Sequence, residues 1–290
     1  RNTGKLCGWG RSISHGSFPV SYVPIRDQIK HSQYRWKSNM DSLDENILFQ
    51  FYRSPLGKTV RRLVTRQLEK IYTVGTSSDH DTRVSAGIGY ARPYMKLLSR
   101  HSGHQIVLQF SGYHLRSWPK GKPSRLAEVD DTNMPLLSSS LNDVLMIHGL
   151  EVSVSPAALL DEIWRLLKGS GRLTVVIPHR RGLWSSQEHT PFGHGQPFSQ
   201  RQIKHLLEDH GFHVHTIRSA LVLPPIAPSI YLRTAPLVEH LPHTFGGVLV
   251  VEAEKMIYSV RPLTRKAWQL RSKAVANLAK PSPKSRHEAK

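Results

Sequence analysis

Apolar positions along the chain change period several times, and each change marks an element. From Leu43 the spacing is helical. Leu48, Phe51 and Tyr52 share one face, and Leu56, Val60, Leu63, Val64 and Leu68 continue it at intervals of three and four. Arg61, Arg62 and Lys70 supply the polar side, and the pattern breaks near Ser54 and Pro55, so two helices are expected. Strands and helices then alternate. Residues 83–88 read as a short strand running into a Gly-rich turn, 93–99 as a helix, and 105–110 and 141–148 as apolar strands. Residues 156–167 read as an amphipathic helix, 173–178 as a β-branched strand, and 199–210 as a helix opened by Ser199. Two strands follow, at 212–219 and 245–255. Alternating βα units with apolar strands predict an α/β fold: a mostly parallel central sheet with helices on both faces. In such sheets ligands bind at the carboxyl ends of the strands, where the strand order reverses.

Both flanks lack this order. Residues 1–39 carry seven basic residues against Asp27 alone and show no sustained period. A transit-peptide-like leader, a disordered extension, or upstream sequence ahead of a start at Met40 each fit; Pro19 and Pro24 interrupt any amphipathic helix and favour the last two. Residues 259–290 carry nine basic residues and one acidic, with Pro281 and Pro283 near an end that reads as disordered. Residues 261–278 are compatible with a helix. The expected organisation is therefore a basic extension at 1–39, one domain at 40–258, and a basic tail at 259–290.

Of the net charge of +19, the flanks hold +6 and +8, and 40–258 holds +5. Such flanks are most often solvated tails, but they suit nucleic acid or anionic lipid. No apolar run reaches the roughly 18–20 residues that span a bilayer. Cys7 is the single cysteine, which excludes an internal disulfide and a Cys-based zinc cluster, and suits a cytoplasmic setting.

Three stretches carry candidate chemistry. The first, 161–178, is a helix with Arg165 and Lys168 at its end, a Gly169-Ser170-Gly171 stop, then the strand from Leu173. Glycine suits a left-handed cap, and Lys168 complements the helix C-terminus. The second, 130–141, opens with Asp130 and Asp131, passes Met134 and Pro135, and leads to Asn142 and Asp143; by turn chemistry alone it is a surface turn. His148, Gly149, Leu150 and Glu151 follow the next strand, where a lone histidine equally serves packing or a cap. The third is Gly87-Ile88-Gly89-Tyr90-Ala91, glycines following a strand.

In this order the three resemble class I S-adenosylmethionine (SAM)-dependent methyltransferases. Residues 161–178 resemble that family's "E-x-x-R-v-L-k-p-G-G-x-l" stretch, with Ser170 in place of one Gly. Residues 130–141 resemble its "D-a-e-x-L-P-f-p-d-x-s-f-D" segment, and His148 to Glu151 its exit from strand four. The resemblance implies a Rossmann-like methyltransferase domain using SAM. Cofactor contacts would fall at Gly87, Gly89, Tyr90 and Ala91, at Gln109, at Asp130, Asp131 and Met134 near adenine, and at His148. Two of the family's usual carboxylates are replaced. Gly87 stands at the acidic position of the "D/E-x-G-x-G" loop, and Gln109 is what strand two offers to the ribose hydroxyls. A bacterial subgroup of the family is similar in its "G-x-G-Y-A-x-P-Y" loop, in residues 51–57, and in 178–199.

The polar, Gly-rich stretch 178–199 follows a strand's carboxyl end, where a substrate loop belongs. His189 and Glu188 are candidate general bases there, and Arg180, Arg181 and Trp184 candidate substrate contacts. Its side chains could equally satisfy the loop's own backbone. Residues 224–241 read as a lid or insertion.

Gly57-Lys58-Thr59 lacks the earlier glycine of a phosphate loop and sits in a helix. His213 and His215 share a strand face without a third ligand at standard spacing, so no metal is expected. The expected activity is methyl transfer from SAM to an acceptor, a small molecule in preference to a macromolecule. The alternative is a methyltransferase-fold binding protein that holds nucleic acid through its basic tails.

Overall fold

The computed structural model describes residues 45–72, 80–110, 117–222 and 246–257. The expectations for 1–39, 224–241 and 259–290, and for the opening of the last strand at Phe245, lie outside the described residues. Two helices come first, α1 (Glu45–Arg53) and α2 (Pro55–Tyr72), broken at Ser54 as the pattern predicts. The Ser54 hydroxyl donates to Phe51 O and accepts from Gly57 N, so one side chain serves both helix ends. There follow β1 (Val84–Gly89), α3 (Met95–Leu98), β2 (His104–Phe110), β3 (Leu126–Val129), β4 (Leu141–Ile147), α4 (Pro156–Leu166), β5 (Leu167–Pro178), α5 (Gln200–Asp209), β6 (Phe212–Ala220) and β7 (Val248–Lys255).

The seven strands form one sheet in the order β3-β2-β1-β4-β5-β7-β6. β1 to β5 pair in parallel, and β7 inserts antiparallel between β5 and β6. From β1 the chain winds outward through β2 and β3, then returns to place β4 on the other side of β1. The reversal falls between the carboxyl ends of β1 and β4, the place where sheets of this kind hold their ligands, here called the β1–β4 crevice.

Strand alternation splits the core in two. On one face Val107, Leu145, Ile147, Val176 and Val250 pack against Leu48, Tyr52, Val64 and Leu68 of α1 and α2. On the other, Ile88, Leu108, Val144, Met146 and Val175 pack against Leu159, Ile163, Ile203 and Leu207 of α4 and α5. Side chains at successive strand positions point to opposite faces, which is why β4 feeds both.

The structure differs from the sequence expectations at three places. β3 is short and half-exposed, with Ala127 and Glu128 facing out, and its pattern gave no strand signal. Residues 93–99 form a 3₁₀ turn at Arg92–Tyr94 followed by a single α-turn. The Gly169-Ser170-Gly171 stop is not a glycine cap: α4 ends at Leu166 and extended chain begins at once. The left-handed residue is Ser170, at φ 57°, and Lys168 donates to Asn142 Oδ1 at 3.1 Å instead of facing the helix end.

Candidate active site at the β1–β4 crevice

The exits of β1 and β4 are tied together. Tyr90 N donates to Ile147 O at 2.7 Å. Gly89 has φ 70°, and a Cβ there would lie 2.5 Å from Ile147 O, so only glycine permits this approach. Opposite it, His148 also adopts a left-handed conformation, at φ 50°, although it carries a full side chain. Strain of this kind persists where surrounding contacts over-determine it.

Those contacts are a buried polar chain. The Glu151 carboxylate lies 3.0 Å from His148 Nδ1, and the Tyr52 hydroxyl lies 2.9 Å from Nε2. A carboxylate on Nδ1 fixes the proton there, so Nε2 accepts and Tyr52 donates. His148 and Glu151 side chains are wholly buried. Glu151 Oε2 has no hydrogen-bond partner among the described residues. Tyr52 stacks on Tyr90 at 5.3 Å, Tyr94 directs its hydroxyl to Tyr52 at 3.4 Å, and Phe192 lies 4.8 Å from the His148 ring. Burial holds the Tyr52 pKa well above the usual phenol range, with the neighbouring Tyr94 adding to the rise. Sequence reasoning placed Tyr52 on a helix's apolar face and Glu151 in a loop. The hydroxyl on Tyr52 and the acid three residues after His148 were the available signals.

The other expected cofactor residues are spread along the strand ends. Gly87 faces α3, and a Cβ there would meet Met95 Sδ at 2.4 Å and Ala91 Cβ at 2.9 Å. The slot that an acid would fill is thus occupied by packing. Gln109, near the end of β2, is 1% exposed, and its Oε1 has no partner among the described residues. Asp130, just past β3, is exposed and accepts from Thr132 N and Oγ1 at 2.8 and 2.5 Å. The Thr132 hydroxyl and amide hold its pKa below the usual carboxylate range. Asp131 accepts from Ser153 Oγ at 2.6 Å, linking the β3 and β4 exits. Met134 is buried; its N–H donates to Glu162 and its carbonyl accepts from Arg165. Burial pulls the Glu162 pKa up, but Arg165 and the Met134 amide outweigh it and leave the carboxylate low. Asn142 and Asp143, at the start of β4, serve the opposite end of the sheet: Asn142 Oδ1 accepts from Val84 N, and Asp143 pairs with Arg83 at 2.8 Å.

Residues 179–198 form a folded strap. It is closed at its base by a bridge between His179 and Phe198 and filled by Trp184, Thr190 and Phe192, all at most 1% exposed. Trp184 packs on Phe192 and beneath Gly247, where a Cβ would lie 2.1 Å from its Cδ1. Phe192 is thereby brought to His148. Arg180, Arg181, Glu188 and His189 are instead exposed on the strap's outer side. The structure thus gathers Gly89, Tyr90, Ala91 and His148 with Tyr52, Glu151 and Phe192, and leaves the strap's charged residues in solvent.

No protein-family model matches this chain, and no curated protein matches it. Solved structures do. The chain is similar to a proposed methyltransferase of Haloferax volcanii, in its complex with the Trm112 methyltransferase activator: 17% identity over 75% of this chain and 99% of that one, TM-score 0.53. It is also similar to a SAM-dependent methyltransferase from Thermotoga maritima, at 16% identity over 73% of this chain and 96% of that one, TM-score 0.50. Likenesses at this identity concern the fold, and with the strand order above they identify it: the described residues adopt the α/β, Rossmann-like class I methyltransferase fold.

Proposed function

We propose that this protein transfers a methyl group from SAM to an acceptor held at the β1–β4 crevice. The observation that carries the reading is the buried Tyr52–His148–Glu151 chain at the point where the strand order reverses. When bound, SAM would supply an electrophilic methyl group on a sulfonium sulfur. In-line displacement needs positioning and exclusion of water more than it needs a dedicated catalyst. Gly89 and Ala91 would present backbone to the cofactor. Gln109 Oε1, a buried acceptor without a donor, fits a ribose hydroxyl. Asp130 and Asp131 would lie by the adenine amine, with Met134 beneath it. Where the acceptor must lose a proton, Tyr52 receives it as its own proton passes to His148 Nε2, and Glu151 steadies the resulting imidazolium. The exposed Glu188, His189, Arg180 and Arg181 would meet only an acceptor large enough to extend over the strap's outer side.

Calorimetry of the full chain with SAM tests this. Saturable heat and a thermal upshift are expected, and no heat at millimolar SAM overturns the reading. Labelled SAM offered with fractionated cell extract then finds the acceptor. A second reading, cofactor binding without transfer, is favoured by the filled slot at Gly87. Heat without label transfer to any fraction would select it.

A further inference from the structure

The strap at residues 179–198 meets both members of the buried His148–Glu151 pair. Phe192 lies against the imidazole, with ring centroids 4.8 Å apart at a tilt of 46°. Further along, Gln196 N donates to Glu151 O at 2.8 Å. Gly195, just before it, has φ 75°, and a Cβ there would lie 2.5 Å from the same oxygen, so glycine lets the strap's backbone close on Glu151. Hydrogen bonds at Nδ1 and Nε2 hold the His148 imidazole by its edges. Phe192 is the strap's contact with the ring itself.

The strap's own place is set elsewhere. His179 N donates to Gly247 O and His179 Nδ1 to Gly246 O, both at 2.9 Å, so its base is fixed to the start of β7. Trp184, wholly buried, lies against Gly247 and meets Phe192 edge-on, with centroids 5.6 Å apart. Phe51 of α1 meets Phe192 edge-on as well, at 6.2 Å. Phe192 is thus held by β7, through Trp184, and by α1, and its position does not depend on the imidazole. The side chains of His148 and Glu151 are wholly buried, and Phe192 is buried over them. In so dry a place the carboxylate–imidazole hydrogen bond is stronger than in water, and its proton exchanges only when the cover opens.

We infer that Phe192 is a positioning residue: it holds the His148 ring and keeps water from the proton between His148 and Glu151. Its bearing on methyl transfer rests on the proposed function; its hold on the pair does not. Deleting a residue that only filled the core would raise every opening of the molecule by the same factor. Deleting a residue that covers the pair leaves the folded protein itself open at that point. The role needs apolar bulk against the ring. Leucine should therefore preserve most of it, and valine and alanine should lose it in order of size.

Hydrogen exchange of the His148 imidazole proton, followed by heteronuclear NMR on the isotope-labelled full chain, tests this. Its resonance is the one absent from His148→Gln. The Val175 amide, buried at the centre of β5, reports global opening. In the parent the imidazole proton should be visible and slow to exchange, with the ring in one tautomer, protonated at Nδ1. In Phe192→Ala its exchange should quicken by about tenfold or more beyond any change at Val175, the ratio that about 1.4 kcal/mol of separate local opening gives. Equal increases at His148 and Val175 overturn the proposal, and so does a parent whose imidazole proton exchanges freely. If Phe192→Ala does not fold, Phe192→Leu and Phe192→Val carry the same test: the excess at His148 should be larger in the valine variant, and no excess in either overturns it. SAM calorimetry on the same proteins separates the two ideas. A selective loss of protection with no SAM heat in the parent leaves the positioning role standing and removes the transfer reading; SAM heat without selective loss does the reverse.

Discussion

The loops leaving β1 and β4 face each other across the crevice, yet they are built in opposite ways. At the β1 exit the described contacts are made by backbone, apolar atoms and the Tyr90 ring. Gly87 is packed shut by Met95, and Gly89 and Ala91 bring backbone against backbone. The β4 exit buries His148 and Glu151 completely and strains the backbone at His148 to do so. Shape is thus concentrated on one side and protonic chemistry on the other. A buried carboxylate is tolerated only with partners, and Glu151 relies on His148 for one oxygen and has none described for the other. That expense is hard to explain as packing, since the β1 side achieves packing with apolar atoms alone.

Removing His148 should break the comparison most severely. His148→Ala leaves the Glu151 carboxylate buried without its donor, at a cost of about 3–5 kcal/mol. Urea denaturation would measure it. A loss under about 1 kcal/mol, at the low end for any buried hydrogen bond, would mean that the β4 exit opens to water and is no more polar than its partner.

The next effect tests whether the β1 side has merely lost a carboxylate. If it had, Gly87→Asp would restore cofactor affinity. The contact with Met95 Sδ predicts the reverse: about 1–3 kcal/mol of overpacking, visible as a lower melting temperature, and weaker SAM heat than in the parent. Gly89→Ala should cost about 1–2 kcal/mol from its left-handed backbone, with the close approach to Ile147 O adding to it. Tighter SAM binding by Gly87→Asp would show that the slot is open.

How much of this could be read from sequence follows from the same contrast. Strands β1, β2, β4, β5 and β6 and both amphipathic helices of the opposite face announce themselves through period, because their burial is one-sided or complete. β3 was missed because an edge strand with Ala127 and Glu128 facing water has no apolar alternation to read. The order of Asp130, His148 and the 161–178 unit pointed to the crevice. Tyr52 was not legible as a site residue, since its approach to His148 spans 96 positions and depends on where α1 lands. Trp184 looked like a substrate contact because polar neighbours surround it in sequence, but its place under Gly247 depends on a strand more than sixty residues later. Ser170 took the left-handed role that glycine was expected to fill, since the turn it makes lies inside extended chain and not at a helix end.

The smallest expected effect sharpens the β4 side alone. Tyr52→Phe keeps the ring that stacks on Tyr90 and removes the proton donated to His148, costing about 1 kcal/mol at neutral pH. Its alkaline behaviour is more telling. Tyr52, Tyr72 and Tyr94 are all buried with pKa values raised, first by desolvation. A phenol that holds its proton more tightly when folded adds stability that is complete below its unfolded value, about 10, and lost as pH rises toward the folded value. Each such group steepens the loss by about 1.4 kcal/mol per pH unit. Urea midpoints between about pH 10 and 11.5 should therefore fall with a shallower slope in Tyr52→Phe than in the parent. An identical slope would mean that Tyr52 titrates freely, with its hydroxyl in water and not on His148, and the polar chain would lose its outer member.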